Sequence, residues 1–105
     1  GHDMPRLILL DGFRLEAYLD GVLFVFEHQD VPGIIGNVGS VFGKHEVNIA
    51  QMAVGRAGPG ETAVGILNLD SPPPQEAIDD LLANPHIHRC KVVELPNAGN
   101  LPSWL

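Results

Sequence analysis

The sequence predicts an α+β domain in which a four-stranded antiparallel sheet carries two helices on one face. Three observations predict it: short apolar segments rich in β-branched and aromatic residues, two stretches of helical period between them, and Asp-Gly or Pro-Gly signals at the junctions. At 105 residues the chain is one domain's worth. From Val22 onward the order reads strand, helix, strand, strand, helix, strand. Two right-handed crossovers in that order put both helices on one side and the second of these strands at an edge.

The opening Gly1-His2-Asp3-Met4 reads as an expression scar followed by an internal start, so the chain is expected to be a piece of something longer. Residues 5–20 read as a hairpin ending a preceding domain or linker: an apolar run from Leu7 to Leu10, a turn at Asp11-Gly12, and a return from Phe13 to Leu19. The domain proper is expected over 21–96, and 97–105, including Trp104, as a tail. Asp20-Gly21 leads into Val22-Leu23-Phe24-Val25-Phe26, apolar on both faces as a central strand is. Glu27-His28-Gln29-Asp30 then turns polar, and Pro32-Gly33 opens a helix expected from Pro32 to His45.

On a wheel of 100° per residue, Ile34, Ile35, Val38, Val41 and Phe42 form the core stripe of that helix. Gly33, Gly36, Gly39, Ser40 and Gly43 gather opposite. Glycine costs about 1 kcal/mol relative to alanine in a helix interior, so such a cluster reads as a packing or docking face. Val47 to Arg56 and Glu61 to Leu69 follow as strands around Ala57-Gly58-Pro59-Gly60. A second helix starts after the proline run 72–74, capped by Asp70 or Ser71, and buries Ala77, Ile78, Leu81 and Leu82; Asn84-Pro85 stops it. The last strand runs from Ile87 to Leu95. An open sheet face and a free edge predict pairing with a second copy.

Thirteen acidic against six basic residues give a net charge of −7, which argues against nucleic acid and anionic membranes as partners. A single cysteine, Cys90, excludes an internal disulfide and fits a reducing cytoplasm. No apolar run reaches the roughly 18 residues of a membrane helix. The spacing Gly33-Ile34-Ile35-Gly36-Asn37-Val38-Gly39 is not the dinucleotide pattern, and the strand after it carries no acid for a ribose. No metal is expected: His86, His88 and Cys90 alternate along the last strand and are the one candidate ligand set, but no fourth ligand lies nearby, and two histidines at the exposed start of a strand is the plainer reading.

The loop between the first strand of the domain and its helix is the best candidate site. Free N–H groups at a helix N-terminus attract a carboxylate, and the oxygens of Asp30 suit an ammonium. Together they suit the zwitterion of an amino acid. Asn48 offers both a donor and an acceptor, and His28 adds an imidazole. Singly, each has a structural role open to it: Asp30 as a turn residue, His28 at a strand end, Asn48 at a turn-to-strand junction.

Asp30-Val31-Pro32-Gly33-Ile34-Ile35-Gly36, Val47-Asn48-Ile49-Ala50, Val54-Gly55-Arg56 and Leu67-Asn68-Leu69-Asp70 resemble the C-terminal ACT domain of bacterial D-3-phosphoglycerate dehydrogenases. The resemblance runs from about Val22 to Pro96, and Arg6 to Tyr18 resembles the end of the preceding domain in long forms. It implies a ferredoxin-like βαββαβ module that pairs side by side and binds L-serine at the interface as a feedback inhibitor. The effector contacts it implies are His28, Asp30, Val31, Gly33, Ile34, Ile35 and Asn48. It also implies NAD as cofactor of the parent enzyme, with no cofactor and no catalytic residue in this stretch. Some members carry Asn where this chain has Asp30; a carboxylate suits the ammonium but adds negative charge near the carboxylate of the ligand.

Three other readings compete. An ACT domain of another enzyme, such as L-serine dehydratase or aspartate kinase, predicts another effector or another attached catalytic domain. A purely structural dimerisation module predicts no ligand. A small enzyme of acylphosphatase type needs an arginine in a phosphate-cradling loop, and the stretch from His28 to Gly36 has none.

Overall fold

The computed structural model describes residues 6–10, 12–17, 21–58 and 60–95. The expected scar at 1–4 and the tail at 97–105, together with Asp11, Asp20 and Pro59, lie outside them. The elements are β1 (Arg6–Leu10), β2 (Phe13–Ala17), β3 (Val22–Gln29), α1 (Ile34–Lys44), β4 (Ile49–Arg56), β5 (Thr62–Leu69), α2 (Gln75–Leu82) and β6 (Ile87–Glu94). Strands β4-β5-β3-β6 form one sheet in that order, every neighbour antiparallel, so β4 lies at an edge as the crossover argument requires. The domain is βαββαβ, α+β, with β1 and β2 as a separate hairpin.

Alternation along the central strands feeds two apolar layers. On the helix side, Phe24 and Phe26 of β3 and Leu67 and Leu69 of β5 pack with Ile34, Val38 and Phe42 of α1 and Ala77 and Leu81 of α2. The Phe24 ring meets Phe42 edge-on at 5.0 Å and stacks on Phe26 at 5.5 Å, arrangements that favour aromatic pairs beyond their buried area. Across the sheet, Leu23, Ile66, Val93 and Leu95 form a second layer. The hairpin closes it, since Ala17 is buried there with Phe13 against it. Gly12 at φ 85 supplies the left-handed backbone of the hairpin turn. Helix α2 packs on α1 and on β6, which leaves α1 over the half of the sheet nearer β4.

Local chemistry moves several boundaries. Gly33 takes φ 90, outside the helical region, so α1 begins at Ile34 and Pro32 stays in the turn before it. The expected cap at Asp70 or Ser71 does not form: Pro74 is the N-cap of α2, and the Asp70 carboxylate is taken by Asn48. Leu82, expected in the buried face of α2, is 44% exposed. Val47 is withdrawn from β4 because its N–H closes the end of α1 on Phe42 O at 2.9 Å and its side chain joins the core.

Candidate functional site

The polar corner after β3 is held from both sides. The N–H of Asp30 donates to Glu61 O at 2.7 Å, and its carbonyl accepts from the N–H of Gly60 at 2.8 Å, which ties the corner to the β4–β5 hairpin. Gly33 then turns the chain into α1, and no described side chain caps the helix. The first N–H groups of the helix are therefore left to the corner, a local partial positive charge. Val31 and Ile35 are half-buried beside it and Gly33 is exposed. Ile34 points its side chain into the core, so its backbone N–H is what it can offer there.

His28 is 2% exposed and stacks on Phe26, ring centroids 5.0 Å apart. Its Nδ1 donates to Gln29 O at 3.0 Å. In the neutral ring Nε2 is then an acceptor, and this buried atom has no hydrogen-bond partner among the described residues. Leaving such a group unpaired costs about 1–3 kcal/mol. A ligand that brings a hydroxyl or ammonium hydrogen satisfies it.

The corner also holds a residue that the reading of the site left out. Arg56, the last residue of β4, donates from Nε to Asp30 Oδ2 at 2.7 Å. The charge that Asp30 adds to the corner is thus balanced within the chain. His28, Ala63 and Arg56 occupy one row across β3, β5 and β4, so their side chains share the helix side of the sheet. An antiparallel register over three strands is what brings Arg56 here. The sequence signal for it was its position as the last residue before the β4–β5 turn.

Asn48 is elsewhere. It stands before β4, at the end opposite Arg56, and the eight residues of β4 at about 3.3 Å each separate the two ends by roughly 25 Å. There its side-chain amide donates to Asp70 Oδ2 at 2.7 Å, and the N–H of Asp70 donates to Asn48 O at 3.1 Å. Of the seven expected effector residues, six share the corner and Asn48 does not join them within one chain.

On the helix face the open region lies around α1 and β4, whereas on the other face β2 packs against β4. Beyond its chain neighbours and the backbone of the helix, a Cβ at Gly36, Gly39 or Gly43 would meet no described atom within 4 Å, and Met52 on β4 is 49% exposed. The candidate trio His86, His88 and Cys90 does not converge. A register shift opposite Glu27 and His28 interrupts the alternation: His86 faces Gln29 Oε1 at 3.2 Å, His88 lies 3.7 Å from Glu27 Oε1, and Cys90 packs on the core. Burial pushes the Cys90 thiol up, against the thiolate form a metal needs. No group of three metal-ligating side chains forms among the described residues. No described helix is long and apolar enough to cross a membrane.

The sequence model of the ACT domain matches residues 21–86. D-3-phosphoglycerate dehydrogenase of Methanocaldococcus jannaschii is 37% identical over 94 residues, covering 90% of this chain and 18% of its own length. The enzyme of that name from Bacillus subtilis is 35% identical over 95 residues, with the same two coverages of 90% and 18%. That from Archaeoglobus fulgidus is 35% identical over 92 residues, 86% of this chain and 18% of its own. The chain thus spans about a fifth of the length of these three relatives.

Proposed function

This chain belongs to the ACT domain family, and from that premise we propose that it is the regulatory module of a D-3-phosphoglycerate dehydrogenase, binding L-serine or another small amino acid at the β3–α1 corner. The observation that carries the reading is the buried Nε2 of His28, without a partner among the described residues, on the strand that leads into a helix start no described side chain caps. A structural spacer has no use for that cost. A ligand with a hydrogen to give and a carboxylate to place offsets it at both ends.

The distance to Asn48 supports a shared site. Antiparallel pairing of β4 with β4 of a second copy about a two-fold axis runs the start of one strand beside the end of the other. Asn48 of the partner subunit then approaches the corner that its own chain keeps it from. The bare glycine face of α1 and the exposed Met52 lie on this same side. Effector bound between two modules favours one relative arrangement of them, and a catalytic domain attached to the module responds to that arrangement by linkage. NAD and the dehydrogenase chemistry belong, in this reading, to the remainder of the parent enzyme.

Titration calorimetry of the chain with L-serine, glycine and larger amino acids tests the proposal. Saturable heat with L-serine, lost in His28→Ala, is expected. The same open face favours a second reading, a dimerisation module without ligand, and that reading predicts a dimer with no saturable heat.

A further inference from the structure

Resting on the effector reading above, we propose that Arg56 joins the first N–H groups of α1 in receiving the carboxylate of the bound amino acid and so sharpens the selectivity of the site for ligands that carry one. The geometry leaves its guanidinium available. Nε is spent on Asp30 Oδ2 at 2.7 Å, and the Arg56 side chain is 59% exposed while that of Asp30 is 15% exposed. A guanidinium held at Nε presents its Nη edge outward as a planar two-donor fork, the shape that matches a carboxylate.

Arg56 is not needed to hold Asp30 in place. Two backbone hydrogen bonds, to Glu61 and from Gly60, already fix that residue. What Arg56 adds is charge and direction. Without it, Asp30 would repel the carboxylate of the ligand it attracts through the ammonium; with it, the corner carries one charge of each sign, as a zwitterion does. The row His28, Ala63, Arg56 supplies the spacing. Neighbouring strands about 4.8 Å apart set the Cα atoms of His28 and Arg56 about 10 Å from each other, with the small, fully buried Ala63 between them. A bound amino acid then meets the Arg56 fork with its carboxylate and turns its hydroxyl or ammonium towards the His28 side of the row.

The test compares L-serine with L-serinamide, which keeps the hydroxyl and the amine but has no carboxylate, on wild type, Arg56→Gln and Arg56→Lys by calorimetry. Wild type is expected to prefer L-serine about 10- to 100-fold, the weight of a hydrogen bond between charged groups. Arg56→Gln should reduce that preference at least several-fold by weakening L-serine alone, and Arg56→Lys, which keeps charge without the fork, should restore part of it. Equal weakening of both ligands in Arg56→Gln would overturn the assignment, because a residue acting only through Asp30 does not distinguish them. Unchanged L-serine affinity would overturn it as well. A wild type that binds neither ligand overturns the effector reading itself and takes this assignment with it.

Discussion

The ring of Phe26 lies against Gly65 so closely that a Cβ at position 65 would stand 2.5 Å from both Cε1 and Cζ of the ring. The ring has nowhere to retreat. Phe26 is 1% exposed and stacks on Phe24 on one side and on His28 on the other, so the missing side chain of β5 sets where the imidazole of the site sits. Gly65→Ala is therefore expected to destabilise the chain by about 1–3 kcal/mol, the range for overpacking a tight core. Urea denaturation measures it, and L-serine affinity should fall with the displaced His28 ring. Wild-type stability in this variant would contradict the packing described.

Much of this arrangement was legible in the sequence, and the parts that were not share a physical reason. The stripe Ile34, Val38, Phe42 and the turn glycine Gly12 are local patterns, visible at helical spacing or within one dipeptide. The pair Asp30 and Arg56 spans 26 residues and exists only because β3, β5 and β4 align in one register. The same holds for Asn48 and Asp70, where a carboxylate that looked like a helix cap was taken by a distant amide. The alternation of His86, His88 and Cys90 is broken by one register shift, and nothing in the residues announces the shift.

Replacing His28 separates stability from binding. His28→Phe removes the buried unpaired Nε2 together with the Nδ1 bond to Gln29 O and keeps a ring to stack on Phe26. Its unfolding free energy should stay within about 1 kcal/mol of wild type, while L-serine affinity drops at least about 10-fold. Retained affinity would remove the imidazole from the site.

Glu46, two residues past the end of α1, is held at φ 60, where side chains are strained. A glycine there matches the usual termination of a helix by a left-handed residue. Glu46→Gly should stabilise the chain by about 0.5–1 kcal/mol in thermal or urea unfolding. A destabilised variant would mean that the strain is relieved elsewhere.

The two helices are joined through Asp80. Its Oδ2 accepts from His45 Nε2 at 3.1 Å and from Lys44 Nζ at 3.3 Å, and these bonds, that of His45 first, hold its carboxyl below the ordinary value of 3.8. A lowered value in the folded state means a contribution that is complete above 3.8 and lost as pH falls through the folded value. Asp80→Asn should accordingly be less stable than wild type at neutral pH, with the gap closing in acid below 3.8. A gap that persists in acid would contradict an ionic origin.

The most direct measurement concerns the division of the site between two copies. His28→Ala and Asn48→Ala chains, each expected to bind no L-serine alone, are mixed in equal amounts, allowed to exchange subunits, and titrated with L-serine by calorimetry. Hybrid dimers hold one intact corner out of two, so the mixture should recover about a quarter of the wild-type sites at wild-type affinity. A mixture as silent as its components, with exchange verified, would contradict a site built from His28 of one chain and Asn48 of another.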